Sequence, residues 1–78
     1  MTEARSNAKA HAHRICALIE TLTGRRPTIV YDDMPRYKGV SIVDGERTIT
    51  SAVGRSWTDV AQKLRAARLA LRFVLDNS

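Results

Sequence analysis

An α+β fold in the order α-β-β-β-α is predicted by three observations. An apolar arc at helical spacing runs from Ala4 to Leu22, an Asp44-Gly45 pair separates two alternating runs, and a second arc from Trp57 to Leu75 opens on Ser56. The arrangement implies a three-stranded antiparallel sheet with two helices packed on one face.

In the first helix Ala4, Ala8, Ala12, Ile15, Leu18, Ile19 and Leu22 fill one arc of the wheel, and Lys9, His13, Arg14 and Glu20 lie outside it. The opening turns offer little apolar bulk, so a start near Ser6 is expected, with residues 1–5 frayed. Gly24 stands where a left-handed residue ends a helix, and Pro27 bars continuation. Thr28, Ile29, Val30 and Tyr31 are β-branched or aromatic and read as a first strand, closed by the turn-forming run Asp32, Asp33, Met34 and Pro35.

Asp44 and Gly45 suit the centre of a two-residue type I′ turn, since both tolerate the positive φ it needs. A turn centred there sets Val43 against Glu46, Ile42 against Arg47, Ser41 against Thr48 and Val40 against Ile49. One face then gathers Val40, Ile42, Ile49 and Val53 and is expected to be buried. The other gathers Tyr37, Gly39, Ser41, Thr48, Thr50 and Ala52 and is expected to be wet.

Ser56 with Asp59 three residues later makes a capping-box-like start to the second helix. Trp57, Val60, Ala61, Leu64, Ala67, Leu71, Val74 and Leu75 share its core-facing arc. Leu69 and Phe73 sit one turn apart on nearly the opposite side, flanked by a basic stripe of Arg65, Arg68 and Arg72.

A chain of 78 residues makes one domain, residues 1–78, and one this small buries only about 60% of the surface its unfolded form exposes. The single Cys16 permits no internal disulfide and no zinc-binding thiol set, so self-association is the expected aid to stability and a homodimer the expected state. The longest uninterrupted apolar stretch, Ile15 to Ile19, is too short to span a membrane or to form the core of a signal peptide, and a cytoplasmic location is expected. Thirteen Lys and Arg against eight Asp and Glu give a net charge of +5, a balance that attracts polyanions.

The element order resembles that of the double-stranded RNA-binding domain over roughly Arg14 to Leu75. The resemblance is carried by Val53-Gly54-Arg55-Ser56, by Asp59, Val60 and Ala61, by the Ala-rich run Ala66, Ala67 and Ala70, and by Leu18 and Leu22. Where that family carries its Lys-Lys-x-Ala-Lys phosphate grip, this chain reads Trp57, Thr58, Asp59, Val60 and Ala61. The resemblance implies a duplex-binding side at the loop and the second helix start, where Arg36, Lys38, Arg55 and Lys63 would replace the missing lysines. Arg25 and Arg26, at the end of the first helix, complete the expected nucleic-acid set for weak, sequence-tolerant binding of duplex RNA or DNA.

No catalytic constellation emerges, so an enzyme is not expected. His11 and His13 point about 200° apart on a helix and cannot share one metal ion. Asp32, Asp33, Asp44 and Asp59 have the places of turn and cap residues, and the glycines stand singly, with no phosphate-binding loop. No cofactor or metal is expected. The second expectation is a protein-binding or dimerising module acting through Arg65, Arg68, Leu69, Arg72 and Phe73, as in small phage or mobile-element proteins that block a host protein.

Overall fold

In a computed structural model that describes residues 3–77, the chain forms α1 (Glu3–Thr23), β1 (Thr28–Asp33), β2 (Lys38–Asp44), β3 (Arg47–Gly54) and α2 (Trp57–Asp76). The strands pair antiparallel in the order β1-β2-β3, and both helices pack on one face of the sheet, as the sequence predicts. The helices lie side by side in the same direction: Ala4 and Asn7 meet Ala61 and Gln62 at one end, and Leu18 and Thr21 meet Leu69 and Arg72 at the other. The core joins Ala8, Ala12, Ile15, Cys16 and Ile19 of α1 to Val40, Ile42 and Ala52 of the sheet and to Val60, Ala61 and Leu64 of α2.

Helix α1 begins at Glu3, ahead of the expected Ser6. Arg5 tethers this first turn: its guanidinium lies 5.7 Å from the Trp57 ring centroid and 3.9 Å from the Asp33 carboxylate. Met1 and Thr2, the first of the residues expected to fray, lie outside the described residues. The helix ends as expected, with Gly24 at φ +81° and its N–H donating to the Glu20 carbonyl at 2.8 Å.

Two expectations for the strands are corrected. Strand β1 continues through Asp32 and Asp33, which pair with Gly39 and Lys38. The Lys38 ammonium donates to the Asp33 carboxylate, an ion pair that keeps an acidic residue in the strand, and the loop shrinks to residues 34–37. The second correction concerns the hairpin. Asp44 pairs with Arg47, so the turn is centred on Gly45 and Glu46; Gly45 has φ +65°, and among the described residues no non-glycine residue has positive φ. Glycine at the first central position is the demand of a type II′ turn, not I′.

A β-bulge follows. Val43 pairs with Thr48 but Ile42 pairs with Thr50, leaving Ile49 as the extra residue, so Val40 faces Ala52 rather than Ile49. Val40 and Ile42 are buried and Thr48 is exposed, as expected, whereas Ile49 and Val53 are 42% and 53% exposed. Ala52 takes the buried place and Thr50 is half-buried. The cause is steric. A Cβ on Gly54 would lie 2.5 Å from the Asp59 Cβ, so the helix runs too close to the end of β3 for larger side chains there. The bulge turns Thr50, Ala52 and Gly54 toward the helices and the larger Ile49 and Val53 away.

Ser56 caps α2 as expected, its Oγ accepting the Asp59 N–H at 3.3 Å. Val60, Ala61 and Leu64 are buried, and Trp57, Ala67 and Leu71 pack partly against the core. Val74, assigned to the core arc, is instead 54% exposed. A helix of 20 residues is about 30 Å long, and strands of six to eight residues, about 20–26 Å, cannot cover it to its end.

Cys16 is 1% exposed, and burial pushes its thiol pKa up. We expect it to resist an aromatic disulfide reagent in the native protein and to react at the rate of a free cysteine in denaturant. Rapid reaction without denaturant would mean that the α1–sheet core opens.

Candidate functional site

The outer side of the helix pair carries a groove lined only by helix residues. Its upper part, about 400 Å³, is bounded by Arg14, Ala17, Leu18 and Thr21 of α1 and by Arg68, Leu69 and Arg72 of α2. Its lower part is bounded by residues that include Asn7 and His11 of α1 and Gln62 and Arg65 of α2. Helical spacing creates this lining, since residues three or four apart share a face: His11, Arg14 and Leu18 on one wall, Arg65, Arg68, Leu69 and Arg72 on the other.

The charges in the groove are poorly compensated. Arg72 Nε lies 3.5 Å from Asp76, while Arg14, Arg65 and Arg68 form no ion pair among the described residues. Arg68 Nε and His11 Nδ1 are buried atoms without a hydrogen-bond partner among the described residues. Burial, followed by the charges of Arg68, Arg14 and Arg65, holds His11 below the usual histidine pKa. Apolar surface adjoins these charges: Leu69 is 49% and Phe73 is 68% exposed, with Leu22, 44% exposed, one turn beyond Leu18.

Of the residues expected at a protein interface, Arg65, Arg68, Leu69 and Arg72 line this groove, and Phe73 lies one turn beyond Leu69. The α1 wall of His11, Arg14 and Leu18 was not assigned to it. Arg14 and Leu18 share one face by their spacing, but only the parallel packing of the helices reveals that this face meets the arginine stripe of α2.

The residues expected to hold phosphates are divided between two ends of the molecule. Arg25 donates to Asp44 beside the β2–β3 turn, and Arg26 Nη1 donates to Glu20 Oε1 at 3.1 Å. At the opposite end Lys38 is bound to Asp33 and to the Met34 carbonyl, and Lys63 Nζ donates to the Val53 carbonyl at 2.5 Å. Arg36 and Arg55 make no ion pair among the described residues; the pairing of Lys38 with Gly54 places both at this end of the sheet. The Lys38 hydrogen bond, with the charges of Lys38 and Arg5, holds the Asp33 carboxyl below its usual pKa.

Among the described residues no group of three or more His, Cys, Asp or Glu side chains could hold a metal ion, and no helix is long and apolar enough to cross a membrane. Comparison with family models, with curated proteins and with solved structures finds no match to this chain.

Proposed function

We propose that this protein is a non-catalytic docking module whose α1–α2 face engages another protein. The observation that carries this reading is the pairing of Leu18, Leu22, Leu69 and Phe73 with a rim of Arg14, Arg68 and Arg72. An apolar centre with a charged rim is the composition of a protein interface, and arginine is the charged residue enriched there. A phosphate backbone needs no such apolar centre. The same charges favour a different partner over a second copy, because self-association through this face would bring arginines opposite arginines.

A second reading, binding of duplex nucleic acid, draws on Arg36 and Arg55, which form no ion pair among the described residues and stand at the end of the sheet where the double-stranded RNA-binding fold holds its duplex. It offers a weak, salt-sensitive contact.

A photo-crosslinking residue at Phe73, in the full chain expressed in its native cells, separates these readings. We expect a discrete protein adduct that survives nuclease and disappears when Leu69→Asp is added, and no adduct from the same residue at Ser51 on the opposite face of the sheet. Loss of the adduct on nuclease treatment would favour nucleic acid, an adduct of twice the chain mass would make the partner a second copy, and no adduct at all would overturn docking through this face.

A further inference from the structure

We propose that His11, Arg14, Arg65 and Arg68 form a carboxylate receptor in the middle of the α1–α2 groove, which grips acidic side chains of the partner polypeptide. This rests on the docking reading and names the chemistry that the face selects. His11 and Arg14 lie three residues apart on α1, Arg65 and Arg68 three apart on α2, and the parallel packing sets the two pairs across the groove.

The three arginines of the cluster bring donors and no acceptor. Arg68 Nε is buried and unpartnered, and a guanidinium edge presents parallel N–H groups that fit a carboxylate in bidentate fashion. A buried polar atom without a partner is costly, and an arriving acceptor would relieve that cost. The nearby acids are placed elsewhere: Glu3 lines the far lower end, Asp76 pairs with Arg72, and Glu20 pairs with Arg26. Among the described residues, therefore, no acidic side chain pairs with Arg14, Arg65 or Arg68 to offset their mutual repulsion.

His11 adds a signature that a plain cationic patch lacks. It faces Arg14 and Asn7 on its own helix and Arg65, Arg68 and Gln62 across the groove, and burial with the charges of the three arginines holds its pKa below the usual histidine value. A carboxylate bound among them supplies the opposite charge and favours the imidazolium, so binding raises the His11 pKa and takes up a proton. By linkage, affinity rises as pH falls toward the pKa of the bound imidazole, which a comparison between about pH 8 and about pH 6 follows. A polypeptide carboxylate fits better than a duplex phosphate because Leu18 and Leu69 flank the cluster and accept the aliphatic neighbours of an acidic residue.

Short poly-L-aspartate, which stays ionised over this range, is the probe, followed by calorimetry and by amide and imidazole NMR shifts in the full chain. We expect shifts confined to the groove, roughly tenfold weaker binding in Arg14→Gln and in Arg68→Gln, and several-fold tighter binding at about pH 6 than at about pH 8, lost in His11→Gln. Arg14 and Arg65 are exposed, so Arg14→Gln and Arg65→Gln test the site even where Arg68→Gln disturbs packing. The receptor is overturned if poly-L-aspartate does not bind, if binding depends on Arg36 and Arg55 instead, if it is independent of His11, or if a duplex RNA of matched charge displaces it from the groove. Failure here with the Phe73 adduct intact removes the receptor and leaves docking; groove binding without that adduct does the reverse.

Discussion

Gly54→Ala is expected to destabilise the fold by about 2–3 kcal/mol, a fall in Tm of roughly 10–20 °C for a domain of this size. The added Cβ would lie 2.5 Å from the Asp59 Cβ, 3.1 Å from its Oδ2 and 3.2 Å from its Cγ. Asp59 cannot simply swing aside, because the closest atom is its Cβ, fixed to the helix backbone, and its N–H is held by the Ser56 cap. Relief therefore requires the first turn of α2 to shift, and that turn leads directly into the buried Val60, Ala61 and Leu64. Gly39→Ala is the control, since a Cβ there meets its nearest atoms at 3.6 Å, ordinary contact, and a strand interior favours alanine over glycine. Thermal melts of the two variants decide the matter. Equal melting temperatures would mean that α2 is not held against β3 as described.

Leu64→Ala is expected to cost about 2–5 kcal/mol, and Phe73→Ala within about 0.5 kcal/mol of nothing. Leu64 is 1% exposed and among the largest fully buried side chains, so truncation leaves a cavity between the helices and the sheet. Small domains hold only about 5–15 kcal/mol in total, so this loss should leave a measurable unfolded fraction in water or in low urea. Phe73, at 68% exposure on the same helix, has little to lose in the monomer. Its truncation should instead weaken partner binding by about 2 kcal/mol or more, as at an interface hot spot. Urea titrations at constant slope measure the first pair of effects, and adduct yield from a crosslinker at the neighbouring Leu69 measures the last. A Phe73→Ala protein as unstable as Leu64→Ala would place that ring in the monomer's own packing and end the docking reading.

Residues close together in the chain were legible. Ala8, Ala12, Ile15 and Ile19 declare the buried face of α1 by their spacing; Gly24 and Ser56 declare where one helix ends and the other begins; Val40 and Ile42 declare the inner side of β2. Each is a local property of periodicity, cap or turn chemistry. The site was half legible for the same reason. Arg65, Arg68, Leu69 and Arg72 share one helix face, whereas His11, Arg14 and Leu18 join them only through the packing of a second helix more than fifty residues away in the chain. The charges show the same division: that Arg25 meets Asp44, or that Lys63 reaches the Val53 carbonyl, is a contact no spacing rule supplies.

By itself, then, the sequence determined the α-β-β-β-α order, the end of α1, the start of α2 and the basic stripe of α2, because these depend on the preferences of neighbouring residues. Only the tertiary structure decided the hairpin. A turn centred on Asp44-Gly45 and one centred on Gly45-Glu46 both keep apolar and polar residues alternating, and a bulge of one residue at Ile49 exchanges the faces of the rest of β3. The choice was made by the space under α2, which admits Thr50, Ala52 and Gly54 but has no room even for a Cβ on the last of them.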